Sequence, residues 1–236
     1  MKATFLFLRS GAAGLVLLAA LAAGCRSVKT EAEWQPLFPA NGVPAGWVVR
    51  AWNDVSRPAE GNPVWRVERG VLTGGEPRGS WLMSEREYGD FILDFEFKLG
   101  ERGNSGVALR APPRGDPAFE GLELQMADLR YNPEAKPEEL TGALYRAVAP
   151  RRQVYKPGEW NKYEIACVGP EVKVVLNGEL ILDVDLRAPT LRPKRHDGTE
   201  APPLKDRPRR GRLGFQELSR DGGHVQIRNA RIKVLD

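Results

Sequence analysis

Apolar and polar residues alternate along several short segments of the chain, a spacing typical of β-strands that bury one face. In the clearest segment every odd-numbered residue from Phe91 to Phe97 is apolar, whereas Asp94 and Glu96 lie on the opposite face. The alternation predicts a strand with one face in the core and one polar face.

Turn signals separate several of these segments. Asn177-Gly178 is the residue pair best suited to the positive φ angles of a type I′ turn, so it predicts a hairpin. A shorter hairpin is predicted around Glu68-Arg69-Gly70. In the second strand of the longer hairpin, alternation predicts a buried face of Leu180, Leu182, Val184 and Leu186.

The last segment changes its phase at Asn229. Val225 and Ile227 are apolar at odd positions, but Ala230 and Ile232 are apolar at even ones. A one-residue bulge at Asn229 would let both halves bury their apolar sides.

Long amphipathic helices are absent from the pattern, and only one helical turn is expected within residues 133–140, where prolines limit it. Many short strands separated by turns favour a β-sandwich over an α/β fold. The length fits one β domain spanning residues 34–236.

Two neighbouring strands carry polar side chains suited to gripping a polyhydroxylated ligand. They are Asn104 to Arg110 and Gly121 to Asp128, and their apolar residues alternate toward the core. The alternative is an ordinary solvated sheet face. The groups expected on the outer face are Asn104, Arg110, Glu123, Gln125 and Asp128.

The N-terminus has the pattern of an export signal. Lys2 and Arg9 precede an uncharged run that ends at Cys25, and residues 21–25 resemble a bacterial lipobox. This predicts a signal peptide over 1–24, an acylated Cys25, and a tether over 25–33 that holds the protein on the membrane without spanning it. Arg26 favours the outer membrane; an ordinary secretory signal is the alternative.

Charge and cysteine content exclude some functions. Removing Lys2 and Arg9 leaves 33 basic and 31 acidic residues, a net charge of +2. The basic excess lies in the proline-rich segment from Arg187 to Arg212, which lacks aromatic residues, so no nucleic-acid partner is expected. Cys167 is predicted to be a small core residue.

Eight motifs in order resemble the 3-keto-disaccharide hydrolase family over Trp34 to Asp236. The resemblance implies a concanavalin A-like jelly roll, with two curved antiparallel sheets and sugar on the concave face. The motifs are Trp65-Arg-Val-Glu-Arg-Gly-Val-Leu, Tyr88-Gly-Asp-Phe-Ile-Leu-Asp-Phe-Glu-Phe, Asn104-Ser-Gly-Val-Ala-Leu-Arg, Gly121-Leu-Glu-Leu-Gln, Thr141-Gly-Ala-Leu-Tyr, Gly158-Glu-Trp-Asn, Leu176-Asn-Gly and Ile227-Arg-Asn-Ala-Arg-Ile.

The resemblance also implies cleavage of glycosides oxidised to a ketone at C3. A base removes the C2 proton, the aglycone leaves from C1, and water adds to the product. From strand phase and charge we assign the base to Glu123 or Asp128, and stabilisation of the enediolate to Arg110 with Asn104 or Gln125. A divalent cation held by Glu123, Gln125 or Asp128 is an alternative electrophile.

Further substrate contacts are predicted outside these strands. Lys156 and Trp160 flank a loop that could reach the cleft, and Gln216 begins a segment that resembles Gln-Asp-His-Gly in relatives. Leu218 occupies the position of that histidine, so His224 either supplies the imidazole from a longer loop or is an exposed residue at a strand edge. His196 is expected to be exposed.

Trp47, Trp52 and Trp81 are candidates for stacking on sugar rings, with core packing as the alternative. Two other functions remain open. One is a carbohydrate-binding surface lipoprotein that does not cleave its ligand, and the other is direct hydrolysis by paired carboxylates.

Overall fold

A computed structural model describes residues 32–188 and 192–236. The predicted signal peptide and the acylated Cys25 lie outside these residues. Among the described residues, no helix has the length and apolar character needed to cross a membrane.

The described chain forms two antiparallel sheets. The strands are β1 Trp34–Pro36, β2 Trp47–Ala51, β3 Arg66–Glu68, β4 Val71–Thr73, β5 Ser80–Tyr88, β6 Phe91–Leu99, β7 Asn104–Ala111, β8 Leu122–Ala127, β9 Asn161–Val168, β10 Glu171–Leu176, β11 Glu179–Asp185, β12 Gly211–Glu217 and β13 Val225–Val234. One sheet has the strand order β11-β10-β9-β6-β13-β4-β3, with β1 also paired to β13, and the other has the order β2-β5-β12-β7-β8.

Helical structure in this part of the chain is limited to short turns. The α-helix α1 spans Pro117–Glu120, and 3₁₀ turns span Pro137–Glu139 and Leu204–Asp206. The expected all-β sandwich and the single helical turn within residues 133–140 are therefore confirmed.

The core lies between the two sheets. The odd-numbered residues from Phe91 to Leu99 are fully buried and face Val107, Leu124 and Phe215 of the other sheet within one apolar cluster. Cys167 belongs to the same cluster, and burial raises the pKa of its thiol to about 12. The predicted strand from Phe91 and the core position of Cys167 are both confirmed.

The Asn177-Gly178 turn and the bulge near the C-terminus occur where the residue pattern predicts them, but the predicted buried face of β11 has one exception. Asn177 and Gly178 join β10 to β11 with φ angles of 52° and 86°. The register between β13 and β6 shifts around Asn229, which confirms the predicted bulge. Leu180 is the exception, because it is 44% exposed. A second bulge, opposite Val174 and Val175, changes the phase of β11.

The outer face of the five-stranded sheet presents three rows of residues. Paired across β7 and β8 are Asn104 with Ala127, Gly106 with Gln125, and Ala108 with Glu123. Successive rows are about 7 Å apart, because two strand residues separate them. Since Leu122, Leu124 and Met126 fill the core on the opposite face, these rows can form the floor of a site.

Candidate active site

A cavity of about 470 Å³ lies over the outer face of the five-stranded sheet, above the paired residues of β7 and β8. Its floor is polar and its walls come from loops. The floor comprises Asn104, Glu123, Gln125, Ala127 and Gln216, and the walls include Trp52, Arg78, Asp116, Ala118, Asp128, Leu129, Tyr131, Asn132, Ala135, Glu139, Leu140, Tyr145, His196 and Leu218.

Glu123 is the buried carboxyl group on the cavity floor. The residue is 3% exposed. Burial, with a smaller contribution from the charge of Asp116, raises the pKa of Glu123 well above its usual range, and no hydrogen bond from the described residues offsets this shift. A Cβ atom at Gly106 would collide with this carboxyl, so the glycine gives it room. The site therefore holds a carboxyl group that favours its protonated form.

Asp116 is a second carboxyl group of the cavity, and it lies outside the two strands predicted to carry the site. It caps the N-terminus of α1, where its Oδ1 accepts a hydrogen bond of 3.0 Å from the Ala118 N–H. Burial raises the pKa of Asp116 to about 6, although the Ala118 hydrogen bond and the charge of Arg195 oppose the shift. The Asp-Pro sequence before a short helix is the signal that could have found this residue.

The helix that carries Asp116 is held in place by a buried arginine. Arg207 is 4% exposed and donates to the carbonyl oxygens of Ala118 at 3.2 Å and Gly121 at 2.9 Å. Arg195 pairs with Glu120 on the same helix. The proline-rich basic segment therefore fixes one wall of the cavity.

Amide side chains form the middle and the far end of the floor. Asn104 is 8% exposed, and its Oδ1 is buried without a hydrogen-bond partner in the described part of the chain. The Gln125 Oε1 accepts a hydrogen bond of 3.1 Å from the Met126 N–H. With Gln216, these groups suit the donors and acceptors of sugar hydroxyls.

Asp128 lines the cavity but is already paired. Burial opposes its ionisation, yet hydrogen bonds from the side chain and backbone of Arg130 outweigh this and lower the pKa of Asp128. The two side chains meet at 2.8 Å and 3.1 Å. A carboxylate held in this way is a weak base. Glu123 and Asp116 are therefore better candidates for proton transfer than Asp128.

Aromatic rings form part of the wall. The His196 ring lies 5.5 Å from the Phe119 ring, 6.0 Å from the Tyr145 ring and 6.4 Å from the Trp52 ring. Partial burial of the imidazole among these side chains lowers the pKa of His196. His196 is exposed as expected, but it also lines the cavity, a placement that depends on the folding of its loop and has no signal in the local sequence.

Arg110 does not lie in this cavity, and its predicted place there is wrong. In the pairing of β7 with β12, Leu109 and Arg110 both face Leu213, so β7 bulges and Arg110 has a φ of 53°. The bulge reverses the strand phase, and the guanidinium group points to the end of the sandwich. It donates to Gly89 O at 2.7 Å, Gly169 O at 2.7 Å and Asp90 Oδ1 at 3.0 Å.

Three other predicted contacts also lie outside the cavity lining. Lys156 is exposed, and the Trp160 ring packs 4.0 Å from the Arg228 guanidinium of β13. The His224 Nδ1 lies 3.4 Å from the buried Glu217 carboxylate. Leu218, in contrast, does line the cavity, so an apolar side chain replaces the imidazole that the resemblance implies.

Of the three candidate tryptophans, only Trp52 lines the cavity. Trp81 is fully buried, and Trp47 packs against Phe38 and Phe215. Across residues 32–188 and 192–236, no three His, Cys, Asp or Glu side chains are grouped so that they could hold a metal ion. Glu123 and Asp128 therefore form no metal cluster with a third such residue there.

Comparisons with known proteins point to carbohydrate chemistry. The profile of a family described as a 3-keto-alpha-glucoside-1,2-lyase-like domain matches residues 33–233. A proposed glycosyl hydrolase from Parabacteroides distasonis is 28% identical, with a TM-score of 0.69 over 86% of this chain and 100% of that one. No curated protein matches the sequence.

Two further solved structures share the fold. A second proposed glycosyl hydrolase from Parabacteroides distasonis is 24% identical, with a TM-score of 0.65 over 86% of this chain and 94% of that one. The carbohydrate-binding module CBM66 from Bacillus subtilis is 14% identical, with a TM-score of 0.50 over 83% of this chain and 99% of that one. The jelly-roll fold expected from the sequence is therefore confirmed.

Proposed function

Since this chain belongs to the family of 3-keto-alpha-glucoside-1,2-lyase-like domains, we propose that its cavity cleaves glycosides that carry a ketone at C3 of the sugar. The domain is glycosyl hydrolase-like, and its function concerns carbohydrates. The proposed reaction removes the C2 proton, eliminates the aglycone from C1 and adds water, which amounts to hydrolysis.

The observation that carries this proposal is the carboxyl group of Glu123 on the cavity floor, which has no ion-pair or hydrogen-bond partner in the described part of the chain. A ketone at C3 acidifies the C2–H bond and places negative charge on the C3 oxygen when the proton leaves. A buried carboxyl group that favours its protonated form can donate a hydrogen bond to that oxygen, and its burial strengthens the interaction. Glu123 suits this role better than Arg110, which faces away from the cavity.

The remaining lining supports the binding of a sugar of one or two rings. Amides of Asn104, Gln125 and Gln216 can pair with hydroxyl groups, while Trp52 and Tyr131 offer aromatic faces to the C–H side of a pyranose. The volume lies within the range of small-molecule sites.

Purified protein lacking residues 1–24 is expected to convert a 3-keto-glucoside to free aglycone and to leave the unoxidised parent glucoside intact. The reason is that only the ketone makes the C2 proton acidic enough for elimination. Release of the aglycone, measured by chromatography with and without a chelator, checks this. Cleavage of the parent at a similar rate would favour direct hydrolysis by paired carboxylates.

Binding of the ketone without turnover would favour a second function, that of a carbohydrate-binding domain. Leu218 motivates this alternative, because it places a leucine in the cavity wall where the sequence resemblance implies a histidine. Loss of activity in the sample with chelator, with activity kept in the sample without it, would favour a divalent cation as the electrophile.

We also propose that the protein is exported and held in the bacterial envelope by acyl chains on Cys25. The lipobox-like residues 21–25 support this proposal. Cells fed a labelled fatty acid are expected to label the full chain and not its Cys25→Ser variant. Equal labelling of the two proteins would contradict the proposal.

A further inference from the structure

Within residues 32–188 and 192–236, two carboxyl groups of the cavity are free of ion pairs, but their surroundings differ. Glu123 lies on the sheet, 3% exposed, with no hydrogen-bond donor among the residues described. Asp116 accepts the Ala118 N–H. The other two carboxylates of the lining are neutralised, Asp128 by Arg130 and Glu139 by Arg146.

These differences decide which of the two groups carries charge. An ionised carboxylate needs donors or nearby cations, and Asp116 has both, because the guanidinium groups of Arg195 and Arg207 act on it. Glu120 acts on it in the opposite direction. Among the described residues, the one charge that shifts the pKa of Glu123 is the like charge of Asp116.

The pKa directions agree with this geometry. The pKa of Asp116 rises to about 6 through burial, so the group is largely ionised at neutral pH. Burial raises the pKa of Glu123 well above its usual range, which favours the protonated form. When the environments of two carboxyl groups keep one ionised and the other protonated, the first can accept a proton and the second can donate a hydrogen bond.

On the basis of the proposed cleavage of 3-keto-glycosides, we infer that Asp116 is the general base that removes the C2 proton, while Glu123 is the neutral donor to the C3 oxygen. This assigns a catalytic role to a residue on the loop before α1, which the strand pattern does not include. It also changes the role of Glu123 from the base expected from sequence to a hydrogen-bond donor.

The proposed steps balance in charge and atoms. Asp116 takes the C2 proton, the C–H electron pair forms a C2–C3 double bond, and the negative charge moves to the C3 oxygen facing Glu123. As the C3 carbonyl forms again, a C1–C2 double bond forms and the C1–O bond to the aglycone breaks. The aglycone oxygen takes the proton from Asp116, and water then adds across the C1–C2 double bond.

The test is the Asp116→Asn variant, because asparagine still caps a helix but cannot accept the proton. We expect kcat/KM for a 3-keto-glucoside to fall by about 10²–10⁴-fold, the range for removal of a general base. Exchange of the C2 hydrogen in D₂O should be lost. The Asp116→Ser variant, which also keeps a cap, should behave alike, and Asp183→Asn on β11 is the matched control.

The pH dependence gives a readout that a merely structural role would not move. In the wild type, kcat/KM is expected to rise with pH through a limb near 6, as Asp116 ionises, and this limb should be absent from the residual activity of Asp116→Asn. Glu123→Gln should retain slow C2 exchange, because its base is intact.

Two results would overturn the assignment while leaving the proposed function in place. They are near-wild-type C2 exchange in the folded Asp116→Asn and Asp116→Ser variants, or loss of exchange in Glu123→Gln alone. Failure of the wild-type protein to release aglycone from the 3-keto-glucoside would overturn the proposed function itself, and this assignment with it.

Discussion

Glu123→Gln is expected to lower kcat/KM for a 3-keto-glucoside by about 10²-fold, since an amide N–H is a much weaker donor to a developing oxyanion than a carboxylic O–H, and full loss of one donor costs about 10²–10³-fold. Glutamine has nearly the same shape but cannot supply the acidic proton. Steady-state kinetics at several pH values check this result. Activity equal to that of the wild type would remove Glu123 from the mechanism.

The same substitution has an expected effect on stability, with a sign fixed by the raised pKa. Because burial raises the pKa of Glu123 in the folded state, the unfolded state loses its proton first as pH rises. The wild type therefore loses the stability that the protonated Glu123 contributes as pH rises above the ordinary carboxyl pKa, and the Glu123→Gln variant is free of this particular loss. Urea unfolding from about pH 4 to about pH 8 should show that the free energy of unfolding of the variant increases relative to that of the wild type. A decrease in the stability of the variant relative to the wild type as pH rises would contradict the raised pKa of the buried Glu123.

Arg110→Met is expected to destabilise the folded protein by about 3 kcal/mol, because it removes a fully buried cation and leaves its acceptors unpaired. The guanidinium group joins Gly89 and Asp90, which precede β6, to Gly169, in the turn between β9 and β10. Denaturant unfolding measures the change. Arg152→Met, at an exposed arginine, is the control and should change stability little.

The variant also separates the structural role of Arg110 from the catalytic role expected from its strand phase. At a temperature where Arg110→Met remains folded, kcat/KM should stay near that of the wild type. Loss of activity in the folded variant, with a change in stability below about 1 kcal/mol, would restore the catalytic interpretation.

Strands and turns could be predicted where local chemistry and burial favour the same structure. Alternation of apolar and polar residues predicted the core face of the strand that begins at Phe91. The Asn177-Gly178 pair predicted the turn between β10 and β11, where both residues have positive φ angles. The bulge at Asn229 was predictable because the apolar phase changes there. In each case the signal lies within a few neighbouring residues.

The site was only partly predictable, because some of its features depend on distant groups. The positions of Asn104, Glu123 and Gln125 on the cavity floor follow from strand alternation. The residues next to Arg110, in contrast, give no indication of a bulge. That bulge is stabilised by carbonyl groups of two other turns. His196 likewise reaches the cavity through the packing of its loop against Phe119.

Proton NMR that follows the C2 hydrogen of a 3-keto-glucoside in D₂O distinguishes elimination from direct hydrolysis in this cavity. If the cavity cleaves its substrate by elimination, the wild-type protein will place deuterium at C2 of the product sugar as the aglycone is released. Release of the aglycone with the original C2 hydrogen fully retained would contradict the account.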